Sequence, residues 1–276
     1  MFLLTQMIIN TSKKVNAVIE ILQSLTGLFL IIFTAIHLLL DSTILISPAV
    51  YNSIPLIMEK FYFGAISVTT LVITLILHFI FVWRKIPSKT YEFMSLFKTA
   101  FSIKHRDTFL WIVQIFTGMC IIILVTIHVW EIITANILKI HSVSSSARVS
   151  IFYYRVFYHL LMSLVLVHMF IGAYKLFVKW SSVSRKSVMA ILVVMFMFYF
   201  TLSVFTIREF SYRGQIQAKL KKSLMIIAHE KDAVILDIEI AKSVKYLDEL
   251  KMKLTLDVID NLEMTEYRKI LSEKIK

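Results

Sequence analysis

Two apolar segments ninety-one positions apart share one frame: Gln23–His37 reads QSLTGLFLIIFTAIH and Gln114–His128 reads QIFTGMCIIILVTIH. Each opens with Gln-x-x-Thr-Gly and closes on a histidine ten residues after the glycine. Ten residues advance a helix by ~15 Å and leave the two positions about 80° apart around it. Two further apolar segments each hold a late histidine, His78 and His168. Ionisable side chains inside long apolar helices are costly and rare. Four hydrophobic helices with one deep histidine apiece is therefore the fact that any fold for this chain must accommodate.

Five stretches, roughly 18–46, 61–83, 108–133, 152–178 and 187–207, are long and apolar enough to cross a bilayer. With 58% apolar residues and a mean hydropathy of +0.77, the whole chain has the composition of a polytopic membrane protein. The expected fold is all-α: a five-helix transmembrane bundle, four helices carrying histidine and one serving as packing, followed by a helical C-terminal tail. Residues 1–213 read as the membrane domain. Residues 214–276 read as a charged extension, in which Ile240, Val244, Leu247, Met252, Leu254 and Ile259 fall at roughly helical spacing. No cleavable signal peptide is evident in residues 1–17. Cys120 is the single cysteine, which excludes an internal disulfide, a thiolate metal site and a covalent Cys-x-x-Cys-His haem.

The net charge of +12 is a topology signal rather than a nucleic-acid footprint. Residues 1–206 hold 16 basic and 6 acidic groups, and residues 207–276 hold 14 and 12. Segments 1–17, 84–106 and 175–186 carry twelve Lys or Arg, against four (Lys60, Lys139, Arg148, Arg155) on the opposite side. The positive-inside rule predicts a cytoplasmic N-terminus and a periplasmic C-terminus. The connections 47–60, 84–107 and 134–151 read as loops. Asp107 or Thr108 is suited to cap span III, and Ser142–Ser146 suits a turn and the next cap.

Chain direction decides which histidines meet. Spans I and III run inside to outside, so His37 and His128 lie in the outer half. Spans II and IV run back, so His78 and His168 lie in the inner half. Each lies ~8–14 Å from its helix end, which sets the layers ~10–15 Å apart in a core ~30 Å thick. Two pairs at two depths suit two stacked haems, each held between facing helices by two imidazoles. A lone histidine in such a helix can instead hydrogen-bond a neighbouring carbonyl. Gly27, Gly118 and Gly172 either let a haem face approach the backbone or let helices touch closely. His159 lies nine residues before His168, on the opposite face, and reads as interfacial; His105, His141 and His229 read as solvated.

At these residues the chain resembles the dihaem cytochrome b subunit of bacterial quinol:fumarate reductases and the related succinate:quinone oxidoreductases. The stretches that carry the resemblance are LQSLTGLFL (22–30), STIL (42–45), HRDTFLWIVQIFTG (105–118), SVSSSAR (142–148) and YKLFVKW (174–180). The resemblance covers about residues 18–213. It implies two haem b groups, with His78 and His168 on the cytoplasm-proximal iron and His37 and His128 on the distal one. It also implies that Gln23, Ser24, Trp111 and Lys179 meet the proximal propionates, and that Glu59 accepts a proton from menaquinol. Iron–sulfur and flavoprotein partner subunits are implied, in the bacterial inner membrane and in a dimer of heterotrimers, with fumarate reduced to succinate. No nucleic-acid partner is expected.

The chain departs from the family pattern in two respects. The interval from Glu59 to His78 is several residues shorter than the family's. A glutamate that family members carry two positions before the fourth histidine is Leu166 here, and leucine carries no proton. Asp41, one turn after His37, matches no family acid and reads as interfacial. Three other readings stay open on sequence grounds. One is a succinate dehydrogenase anchor running the reaction in reverse. Another is the cytochrome b of a hydrogenase or formate dehydrogenase, against which one histidine per helix counts. The third is a haem-free scaffold or transporter.

Overall fold

The computed structural model describes residues 2–86, 89–103, 106–134 and 141–229, with the side chains at 2–13, 59, 93, 101, 103, 221 and 223–229 left aside. The described residues fold into helices: α1 (Phe2–Ser42), α2 (Pro48–Lys60), α3 (Phe63–Trp83), α4 (Thr90–Ile103), α5 (Arg106–Thr134), α6 (Ser142–Ser150), α7 (Phe152–Trp180) and α8 (Arg185–His229). A turn of 3-10 helix, Thr43–Leu45, follows α1. Five segments have the length and hydropathy of membrane spans: Lys14–Leu45, Phe63–Trp83, Arg106–Thr134, Phe152–Trp180 and Arg185–Leu220. The all-α, five-span expectation holds, and the chain is a multi-pass membrane protein.

Local chemistry explains several boundaries. Ser47 accepts the Val50 N–H at 3.1 Å and precedes Pro48, so a capping hydroxyl and a preset φ start α2 together. Tyr62 has φ 55°, a left-handed conformation uncommon outside glycine, and it separates α2 from α3. Ser184 accepts the Ser187 N–H at 3.2 Å and caps α8. Asp107 sits in the first turn of α5, where an acid also suits the helix dipole.

The core lies between α7 and α8. Met162, Leu166, Met169, Phe170, Ala173 and Tyr174 of α7 pack with Val188, Leu192, Tyr199, Ile207 and Phe210 of α8, and Ile31, Ala35 and Leu38 of α1 close one side. Phe170 meets Phe196 edge-on at 5.7 Å. Helices α1 and α3 pack as one pair and α5 and α7 as another, with α7 also touching α1. α3 contributes no buried residue, which leaves it on the flank of the bundle.

The connections are more ordered than their composition suggests. Segments read as loops contain α2, α4 and α6. α6 docks on the far half of α8, where a side chain at Gly214 would overlap the Ser146 carbonyl. Ser146 itself is fully buried. Asn52 of α2 accepts the Ser142 N–H at 2.8 Å, and Tyr51 lies 3.3 Å from Ser145 with burial pushing its phenol pKa up, so it stays neutral. α8 runs unbroken through Gly214 to His229, well past the expected end of span V. The tail beyond position 229, including the predicted amphipathic positions 240–259, lies outside the described residues.

Candidate functional site

The two Gln-x-x-Thr-Gly frames do the same work in the two helix pairs. In the first pair, Thr26 Oγ1 lies 3.0 Å from His78 Nδ1. In the second, Thr117 Oγ1 lies 3.1 Å from His168 Nδ1. The adjacent glycines make room for the rings. A Cβ at Gly27 would come within 3.2 Å of His78 Cε1, and one at Gly118 within 3.0 Å of His168 Cε1. Glycine is needed here because an imidazole edge rests on the backbone.

These contacts fix the tautomer of the inner histidines. His168 Nδ1 lies 3.0 Å from the Gln114 carbonyl oxygen, which can only accept, so Nδ1 carries the proton. The Gln23 backbone bonds the His78 ring in the same way. Thr26 and Thr117 spend their own hydroxyl protons on the Leu22 and Val113 carbonyls at 2.9 and 2.8 Å, so both face the ring as acceptors. Nε2 of each ring is left with a free lone pair. A metal-binding histidine is oriented in this manner, with one nitrogen donating to a fixed oxygen and the other facing the metal. His78 and His168 lie within electrostatic range of each other.

The outer pair is assembled differently. The His37 and His128 rings have centroids 6.5 Å apart and planes tilted by 53°. Two imidazoles bound through ~2.0 Å nitrogen–metal bonds on opposite sides of one ion would have centroids about 6 Å apart, a separation of the same size. His128 Nδ1 is buried without a hydrogen-bond partner, and Tyr158 meets the ring edge-on at 5.8 Å. His37 stacks on Phe33, and its Nε2 lies 3.4 Å from Asp41 Oδ2. Asp41 thus faces a candidate ligand. Among the described residues no three His, Cys, Asp or Glu side chains converge.

At the basic end, Glu20 binds Lys179 at 2.6 Å and approaches Lys85 at 3.9 Å. Burial pushes the Lys85 ammonium pKa down and Glu20 pulls it back up. Ser24 donates to the Glu20 carbonyl at 2.8 Å and accepts the Trp180 indole N–H at 3.4 Å. Gln23 Oε1 is buried without a partner. Gln23, Ser24 and Lys179 therefore share one neighbourhood, while Trp111 sits partly buried near the start of α5. Arg106 donates to the Tyr174 hydroxyl at 2.7 Å, and Asp107 accepts from Tyr174 at 3.1 Å and from Arg185 at 2.9 Å, tying together α5, α7 and α8.

The other candidates fall into place around these pairs. Glu59 is the penultimate residue of α2, before the Tyr62 break; its side chain lies outside the described residues. Leu166 is fully buried in the apolar core. His159 shares a surface with Arg155, Leu160 and Ser163, away from the α5-facing His168. His141 stands at the N-cap of α6, where its N–H meets Ser144 Oγ at 3.3 Å. His105 and the His229 side chain lie outside the described residues.

A helical membrane bundle with histidines facing one another across its helices is the architecture that a membrane cytochrome requires. Residues 94–204 match the family described as succinate dehydrogenase/fumarate reductase transmembrane subunit. The fumarate reductase cytochrome b subunits of two Helicobacter pylori strains are 30% and 31% identical over 217 residues, covering 72% of this chain and 82% of theirs. That of Wolinella succinogenes is 30% identical over 180 residues, covering 61% of this chain and 68% of the relative. The chain belongs to the fumarate reductase cytochrome b subunit family.

Proposed function

We propose that this chain is the membrane anchor and electron-transfer subunit of a fumarate reductase complex. The observation that carries the reading is the duplicated cradle, in which Thr26–Gly27 and Thr117–Gly118 hold His78 and His168 with Nε2 free. His78 and His168 would hold the iron of the inner haem b, and His37 and His128 that of the outer one. The haems, when bound, supply one-electron carriage between the two membrane faces. Gln23, Ser24, Trp111 and Lys179 would meet inner propionates, for which the orphaned Gln23 Oε1 and the nearby Ser24 hydroxyl offer polar partners.

Menaquinol is the donor in this reading. Glu59, toward the outer side, accepts a proton as the quinol loses its electrons. The basic segments lie on the cytoplasmic side of the bacterial inner membrane and dock an iron–sulfur subunit, with a flavoprotein subunit reducing fumarate to succinate. Such heterotrimers pair into dimers. The buried Leu166 offers no proton route beside the haems. The matched family description covers succinate dehydrogenase too, which favours the reverse direction as a second reading.

The test uses the purified complex. A menaquinol analogue should reduce the b-type haem, read from its absorbance spectrum, and fumarate should reoxidise it. Glu59→Gln should retain the haem and slow its reduction by quinol by roughly tenfold or more, within the usual reach of a positioned acid or base. Haem that quinol does not reduce, or a Glu59→Gln complex reduced at the unaltered rate, would contradict this function.

A further inference from the structure

Gln114 has a second role besides orienting His168. Its side-chain Oε1 accepts the Lys175 ammonium at 2.7 Å. A lysine can only donate, so the amide oxygen is fixed toward Lys175. The amide nitrogen is then turned toward Gly172, 3.2 Å from where a Cβ would stand. Lys175 follows His168 by seven residues, ~20° short of two full turns, so both lie on one face of α7. That face meets α5, and Lys175 is half-buried there, whereas Lys179 is more exposed and engaged by Glu20.

The same spacing recurs in the other helix pair, where Lys85 follows His78 by seven residues. The two ammonium groups lie within electrostatic range of each other at the inner end of the bundle. Lys85 has Glu20 at 3.9 Å; among the described residues no carboxylate lies within ion-pair distance of Lys175. Asp107 lies within electrostatic range of Lys175 but does not pair with it, so the partly buried Lys175 ammonium is left able to take an anion. The carboxylates of a haem held by His78 and His168 would supply that charge.

We propose that Lys175, held by Gln114, is the inward-facing cation that receives a propionate of the inner haem and raises its reduction potential. This rests on the dihaem reading. A fixed positive charge favours the reduced iron, whose net charge is lower by one, and in a site of low dielectric the bias is large. Lys175 acts through charge and position and takes no part in ligation.

The test is a redox titration of the purified complex carrying Lys175→Met or Lys175→Arg, with the inner signal assigned as the one lost in His78→Ala. Lys175→Met should lower the inner potential by a factor of about ten in the one-electron equilibrium, ~59 mV, and leave the outer one in place. Loss of the inner haem in Lys175→Met, with retention and a near-normal potential in Lys175→Arg, would equally support the assignment. An unchanged inner potential in Lys175→Met would overturn it, as would equal haem loss in both variants. Absence of haem from the unsubstituted complex would instead overturn the dihaem reading.

Discussion

Thr117 Oγ1 stands 3.1 Å from His168 Nδ1, and fifty-odd residues of sequence separate them. The equivalent contact in the first helix pair, Thr26 to His78, is 3.0 Å. The bundle is thus two copies of one device, a Thr–Gly step on one helix that seats the histidine of the next. Because each threonine spends its proton on its own helix, the ring must donate through Nδ1.

Replacing Thr117 by valine keeps the shape and removes the acceptor. The His168 ring then keeps only the Gln114 carbonyl. We expect Thr117→Val to weaken inner haem retention by about 10–100-fold, the usual cost of losing an orienting partner of a metal-bound histidine. Haem content after detergent dilution measures this, with Thr117→Ser as the variant that restores the acceptor.

Gly118→Val should act more severely. Even a Cβ at this position would sit 3.0 Å from His168 Cε1, so valine must displace the ring. The expected outcome is loss of one haem and survival of the outer one, read as a fall from two to one haem per chain by pyridine haemochrome. Gly27→Val should do the same through His78.

The α6–α8 contact makes a prediction independent of cofactor. Any side chain at Gly214 overlaps the Ser146 carbonyl, and Ser146 is fully buried. Overpacking of this kind costs about 1–3 kcal/mol. Gly214→Val should lower the thermal midpoint of the purified complex, while Gly64→Ala, which meets open space within the chain, should leave it nearly unchanged.

Leu166 is fully buried among Met162, Met169 and Phe170. Leu166→Glu would put an acid in that core without a built partner, at a cost of several kcal/mol, and should reduce the yield of assembled complex. Quinol-driven turnover in sealed vesicles should then gain no proton route from the substitution; a pH change in the vesicle lumen that appears only in Leu166→Glu would contradict the structural assignment of this position.

Hydropathy made the spans legible, because burial in a bilayer writes itself into long apolar runs, and the approach of His37 to His128 agrees with the pairing read from chain direction. The Thr–Gly frames were legible as a repeat, yet their spacing pointed to His37 and His128 on the same helices. Their partners turned out to be His78 and His168 across a helix interface, which no within-helix spacing encodes. Lys175 was hidden for a related reason: counted as a loop charge, it faces α5 because it lies two turns below His168. The helices α2, α4 and α6 were unreadable from hydropathy, since polar sequences such as Ser142–Ser146 become buried only by docking on α8. Gly214, the first residue of the charged extension in the sequence, marks that docking point.

The most direct measurement is the haem content per chain of the purified complex, by pyridine haemochrome, together with a low-temperature reduced-minus-oxidised spectrum. Two b-type haems per chain with low-spin bis-histidine signals are predicted from the two histidine pairs. A complex that is folded, assembled and free of haem would contradict the account and leave the four histidines as structural residues.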